Sequence, residues 1–364
     1  MPIRKAPVLV VEDDRFLRVV GVVLDPSTSK ERIDAYADFF AHDERDFPGW
    51  CSRVRERAAA LFPAEVRLVE TQQQLRSHAL AAQALIVESL TVGREELAGA
   101  NLIAVQKYGA RARNVNLAEC ELRGITVLTI RRRANIACAE TAFMLMLTLA
   151  RKMQRVMNRI SREQLAVVGY HYKPFDRRHT PNSNWARING IRMLHESTIG
   201  IIGMGEIGRE IALRAAVFGM RILYYQRTKL PPEEERELQA SYTPLPDLLG
   251  KSDWIVPQLP ASDSTRNFIN RERFAQMKRG ACLINVSRAE VVDRAALIEA
   301  LKSQRLGGFA LDPPYEAPGR SDDELLKFDT VVMSPHIAAQ PRQNALNDLA
   351  DMMERLAKEF AGRE

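Results

Sequence analysis

Three glycines stand at a spacing that chemistry can use: Gly203-Met204-Gly205-Glu206-Ile207-Gly208. The run follows a short β-branched apolar stretch, residues 198–202, and opens a helix-forming one, residues 206–218. That context is what makes the pattern informative. The first glycine permits a tight turn, the second lets the backbone approach a pyrophosphate, and the third lets helix and strand pack closely. A pyrophosphate placed there meets amide groups at a helix N-terminus, where the peptide dipoles favour an anion. Gly203, Gly205 and Gly208 therefore predict a dinucleotide site, and with it hydride transfer as the chemistry served.

About 20 residues beyond such a turn a carboxylate ordinarily holds the adenosine ribose 2′-hydroxyl. Here the chain reads Tyr224-Tyr225-Gln226-Arg227-Thr228-Lys229. Gln226 occupies the acidic place, so no carboxylate repels a 2′-phosphate, and the Arg227 guanidinium can pair with one. Gln226, Arg227 and Thr228 thus favour NADP(H), with NAD(H) as the alternative.

A turn of this kind needs a parallel sheet behind it. Short apolar runs at residues 221–225, 253–256, 281–286, 308–311 and 330–333, with a helical stretch at 294–303, predict a βαβ series. Before it, residues 7–11, 66–69, 84–87, 102–105 and 125–130 read as strands of a smaller α/β layer. Residues 135–160 carry no proline or glycine and read as one long helix, apolar in its first half and so buried. Residues 169–184 read as a long loop. The fold class expected is α/β, with a parallel, doubly wound sheet from residue 198 onward and a smaller α/β layer before it.

Composition bounds the rest. The chain has 364 residues, 46% of them hydrophobic, enough for two domains of ordinary size. No apolar run reaches the roughly 18 residues of a membrane span, and the N-terminal residues turn acidic too soon for a signal peptide. The four cysteines show no paired spacing, which suggests a reducing, cytoplasmic setting. Net charge is +6, but the cations are mixed with acids, so no nucleic-acid partner is expected. The six histidines share no ligand spacing, and no metal is expected.

Taken in order, the 198–208 run, Phe218-Gly219, Ile284-Asn285-Val286-Ser287-Arg288, Leu311-Asp312 and Ser334-Pro335-His336-Ile337 resemble the D-isomer-specific 2-hydroxyacid dehydrogenases. The likeness is strong over about 198–340, recognisable at 123–127 and 135–140, and faint before residue 100. It implies Rossmann-like and flavodoxin-like domains with the active site between them. The dinucleotide-binding domain, residues 133–339, would be inserted into a substrate domain of residues 1–132 plus 340–364. The resemblance also implies a homodimer, with the helix after Asn135 near the interface.

The same resemblance assigns Arg288 to the substrate carboxylate and carbonyl and His336 to the proton transfer. A guanidinium fork grips a carboxylate bidentately and keeps its charge; an imidazole titrates near working pH. Glu206, Ile207, Pro260, Val286 and Ser287 carry over as cofactor contacts, and Asp312 as the group facing the nicotinamide carboxamide. Ala110 and Arg111, in the substrate loop, and Arg132, at the hinge, carry over as substrate contacts. Their basic character suggests a second anionic group on the acid.

One position departs from the family. Asp312-Pro313-Pro314-Tyr315-Glu316-Ala317-Pro318 has alanine where the glutamate that pairs with the histidine belongs. Glu316 is the neighbouring carboxylate that could take its place. The same departure supports an alternative function, a cofactor-sensing binding protein with weak or no catalysis.

Overall fold

A computed structural model describes residues 6–362. It contains two parallel sheets in two compact units, one formed by residues up to Asn135 together with those from Gln340 onward, the other by Ile136–Ala339.

In the first unit the strands are β1 (Val8–Glu12), β2 (Glu65–Val69), β3 (Ala84–Val87), β4 (Ala104–Lys107) and β5 (Thr126–Leu128), in the order β2-β1-β3-β4-β5. All neighbours pair parallel, the flavodoxin-like arrangement. β1 and β3 are buried along their whole length, which is why they read as unbroken apolar runs rather than alternating ones. The helix Gln343–Ala361 returns to this unit. Its Leu346, Leu349, Met353, Leu356 and Phe360 recur at helical spacing and share one core with Leu9, Val11, Ile86 and Ala104.

Arg133, next to Arg132 in the chain, fastens that helix. Its backbone N–H and Nη1 each donate to Asp348 at 2.8 Å, and its Nη2 donates to Asp351 at 2.8 Å. Burial pushes the Asp348 carboxyl upward, against the opposing pull of Arg133.

The second unit holds β6 (Thr198–Ile202), β7 (Arg221–Tyr225), β8 (Ala240–Tyr242), β9 (Trp254–Pro257), β10 (Cys282–Asn285), β11 (Gly308–Leu311) and β12 (Val331–Met333). Their order is β12-β11-β10-β9-β6-β7-β8, all parallel. Succession runs outward from β6 through β8 on one side and from β9 through β12 on the other. The loops leaving β6 and β9 therefore diverge, and a crevice opens at the C-terminal edge, where open α/β sheets bind ligands.

The helix expected over residues 135–160 is shorter, Arg133–Ala150. Its buried face, Cys138, Ala142, Leu145, Met146, Leu149 and Ala150, has no continuation. The Ala150 carbonyl instead accepts the Arg192 N–H at 2.8 Å. Lys152 and Asn158 then take left-handed backbone angles, and only the short helices Met153–Val156 and Arg162–Val167 follow. β8 was not anticipated, because three residues carry too little pattern. Among the described residues no helix is long and apolar enough to cross a membrane.

Candidate active site

The glycine turn joins β6 to the helix Glu206–Val217. Gly203 has φ of 100°, and a Cβ on it would lie 2.3 Å from the Gln258 carbonyl oxygen. A Cβ on Gly208 would lie 2.3 Å from the Gly203 carbonyl oxygen. Two glycines are thus required by the fold itself. Gly205 differs: a Cβ there would meet nothing within 4 Å, so its small size leaves space rather than relieving a clash. No side chain caps the helix, and on the neighbouring strand end the buried Gln258 Nε2 has no hydrogen-bond partner. An uncapped helix start, open backbone and a spare buried donor suit an anionic, hydrogen-bonding group such as a dinucleotide pyrophosphate.

Gln226, at the end of β7, faces this turn. Its Oε1 accepts the Met204 N–H at 3.3 Å, and its Nε2 donates to the Thr228 carbonyl at 2.6 Å. The amide clips the glycine turn to the loop of residues 227–229. That loop is held again at its far end, where the Tyr224 hydroxyl accepts the Leu230 N–H at 2.9 Å and donates to Glu235 at 2.8 Å. Burial pushes the Tyr224 hydroxyl up to about 12, so it serves as a neutral hydrogen-bonding post. Lys229 stands 3.5 Å from Glu235. Arg227 and Thr228 are exposed, and Arg227 has no carboxylate partner among the described residues.

On the other half of the edge, two buried polar residues fix two exposed ones. Asn285, fully buried, ends β10. Its Oδ1 accepts the Ser287 N–H at 2.9 Å and the Ser287 hydroxyl at 2.8 Å, while its Nδ2 donates to the Arg288 carbonyl at 2.8 Å. The turn carrying Arg288 is thereby closed. The Arg288 side chain is exposed, and among the described residues its Nη1 donates only to the Ser287 carbonyl, at 2.8 Å.

Asp312, at the end of β11, repeats the arrangement. It is 1% exposed, and its N–H donates to the Asn285 carbonyl at 3.0 Å. Its Oδ1 accepts the Ser334 hydroxyl at 2.7 Å and the Ile337 N–H at 2.9 Å; its Oδ2 accepts the Ala338 N–H at 2.9 Å. Both oxygens assigned from sequence to a nicotinamide are thus already engaged within the fold. His336 sits in the middle of this loop with φ of 60° and an exposed side chain.

The structure does not bring Glu316 onto His336. Glu316 is exposed, its field acts on Arg320, and no hydrogen bond or ion pair joins it to the imidazole among the described residues. Ala317 is exposed as well. Pro260 is exposed just past β9, with its carbonyl accepting the Thr265 hydroxyl at 2.5 Å. Val286 and Ser287 are buried beneath the Arg288 turn.

In the first unit, Ala110 and Arg111 follow β4 in the expected loop. Arg132 is engaged: its Nη1 donates to Glu88 at 2.8 Å, and its guanidinium lies 4.8 Å from the centre of the Tyr108 ring. Burial raises the Glu88 carboxyl above its ordinary range, with Arg132 opposing the shift. The Lys107 ammonium donates to the Glu88 carbonyl. Sequence reasoning missed Asn285, Gln258, Ser334, Glu88 and Lys107 as site residues. The available signal was a polar residue at the end of an apolar strand. The four cysteines are buried and form no disulfide, and no cluster of metal-ligating side chains occurs among the described residues.

The family described as "D-isomer specific 2-hydroxyacid dehydrogenase, NAD binding domain" matches residues 143–338. The chain is 38% identical over 235 residues to a glyoxylate reductase of Pyrococcus horikoshii, covering 65% of this chain and 66% of that protein. It is 31% identical over 283 residues to a hydroxypyruvate reductase of Thermotoga maritima, covering 76% and 84%. A solved Pyrococcus horikoshii structure superposes with a TM-score of 0.58 at 25% identity, covering 97% of this chain and 92% of that one.

Proposed function

The chain belongs to the D-isomer-specific 2-hydroxyacid dehydrogenases, and from that membership we propose that it moves a hydride between a nicotinamide cofactor and a small 2-keto or 2-hydroxy acid. The observation that carries the reading is the shared C-terminal edge of the second sheet. It presents the glycine turn, Arg288 and His336 together, with neither cationic nor imidazole side chain paired to a carboxylate among the described residues.

The bound cofactor would supply the hydride acceptor or donor. Arg288 would grip the substrate carboxylate and orient the carbonyl. His336 would protonate the carbonyl oxygen as reduction proceeds, and remove that proton in the reverse direction. Val286, Ser287 and Pro260 would flank the cofactor, with Glu206 and Ile207 at its pyrophosphate. The second unit is read as the cofactor domain and the first as the substrate domain. Ala110, Arg111 and Arg132 are read as its substrate contacts; the density of cations there, with Lys107, supports an acid carrying a second anionic group.

NADP(H) is preferred over NAD(H) on the strength of Gln226 and the exposed Arg227. A panel of glyoxylate, hydroxypyruvate and larger 2-keto acids, run with NADPH and with NADH, tests both statements. Turnover of at least one acid with NADPH favoured is the expected result. A tenfold preference for NADH overturns the cofactor assignment. No turnover at all, with cofactor still bound, favours the second reading, a cofactor sensor, to which the unpaired imidazole of His336 lends support.

A second copy of the chain is the proposed partner. Met144 and Leu147 on the helix Arg133–Ala150 and Phe218 line one shallow concavity with exposed apolar side chains, a surface that a second copy could cover. Sedimentation equilibrium is expected to give twice the chain mass, and a Met144→Glu/Leu147→Glu variant half of that. The four cysteines are buried and form no disulfide, which suits a reducing compartment such as the cytoplasm.

A further inference from the structure

An imidazole that transfers a proton must be aimed. A carboxylate on its second ring nitrogen is the usual device, but no side chain serves His336 in that way among the described residues. The loop around it is tied down through a different group.

Residues 334–338 make a tight excursion beyond β12, and nearly every anchor of that excursion is on β11 or the residue after it. The Ser334 N–H donates to the Leu311 carbonyl at 3.0 Å and the His336 N–H to the Asp312 carbonyl at 3.0 Å. The Asp312 carboxylate accepts from Ser334 Oγ, Ile337 N and Ala338 N, between 2.7 and 2.9 Å. The far end is held by the Thr141 hydroxyl, which donates to the Ala338 carbonyl at 3.3 Å. The residue at the centre, His336, has a left-handed φ that side chains rarely adopt. Such a conformation persists only where the surroundings over-determine it. The carboxylate that does so is buried and has no cationic partner among the described residues, so its charge is balanced by the loop's own donors. Hydrogen bonds to a buried charge are the strong ones.

We propose that Asp312 is the positioning residue of His336, aiming the imidazole through the backbone of residues 334–338 in place of a carboxylate on the ring. The proposal rests on the reading of His336 as the proton-transferring group. Ser334 reports on it cleanly, because its hydroxyl touches Asp312 and lies two residues from the histidine.

The test compares Ser334→Ala, Ser334→Thr and Asp312→Asn with His336→Asn as the reference, measuring kcat, KM for both substrates and thermal stability. Ser334→Ala removes one bond to a charged acceptor and is expected to lower kcat about tenfold or more, with both KM values and the melting temperature nearly unchanged. Ser334→Thr restores the hydroxyl and most of the rate. Asp312→Asn sets an NH2 against backbone N–H donors and lowers kcat further. If His336→Asn abolishes reduction while Ser334→Ala keeps kcat within about twofold, or if Ser334→Thr fails to rescue, the positioning role is overturned alone. If His336→Asn retains kcat, the reading of His336 falls, and the proposal with it.

Discussion

Replacing His336 by asparagine is expected to lower kcat for 2-keto acid reduction by about two to four orders of magnitude, the usual worth of a positioned general acid. The choice of asparagine separates chemistry from folding. Its amide can hydrogen-bond to a substrate oxygen but cannot release a proton near neutral pH. Asparagine is also among the few side chains that tolerate the left-handed backbone found at this position. The bonds that hold the loop use the His336 N–H and its neighbours, none of which the substitution removes. Melting temperature and cofactor affinity should therefore stay close to the native values. Steady-state kinetics with a matched thermal melt and a cofactor titration check all three. A rate within about tenfold of native would remove the histidine from the proton transfer.

The second large effect is expected at the glycine turn, where two neighbouring substitutions should fail in different ways. Gly203→Ala forces a Cβ to within 2.3 Å of the Gln258 carbonyl, at a φ of 100°. The strain of such a backbone for alanine is about 1–3 kcal/mol before the clash is counted. The end of β9 must move, and the melting temperature should fall by several degrees. Cofactor affinity should drop with it by about a hundredfold, because the amides that face a pyrophosphate shift as a group. Gly205→Ala meets no protein atom within 4 Å. Its melting temperature should hold while its cofactor affinity falls, since the methyl occupies only the ligand's space. Calorimetric titration with NADPH and with NADH, alongside thermal melts, reads the contrast. An undiminished cofactor affinity in Gly205→Ala would show that the open space at Gly205 is not where the ligand lies.

What was legible in the sequence was mostly local. The run at 198–208 encodes a strand, a left-handed turn and a helix start within eleven residues, so pattern alone located the crevice. The apolar strands β6, β9, β10 and β11, buried along their whole length, announced themselves in the same way. The long helix was misjudged at its C-terminal end because residues 151–159 are acceptable helix formers. What stops the helix is the loss of its buried face and an amide arriving from Arg192, which no local window contains. The Arg288 and His336 positions followed from a resemblance, but the reason they hold their places did not. Asn285 and Asp312 act through hydrogen bonds to turns just beyond their own and adjacent strands, and strand adjacency is a property of topology. Gln226 illustrates the limit most sharply. Sequence showed only that a carboxylate was missing there; the structure shows an amide joining two loops, a task for which one donor and one acceptor are both needed.

The helix Gln343–Ala361 supplies a large part of the apolar core behind β1, the first strand of the chain. As the polypeptide leaves the ribosome, β1 to β5 therefore emerge roughly two to three hundred residues before the helix that completes their core. The strands of the second unit, lying entirely between, can find their full set of neighbours while the first sheet still lacks the helix that packs on β4 and β5. Synthesis order and completion order are inverted between the two units: strands made before the second unit are completed after it, and during that interval their apolar face is the one most in need of protection from other chains.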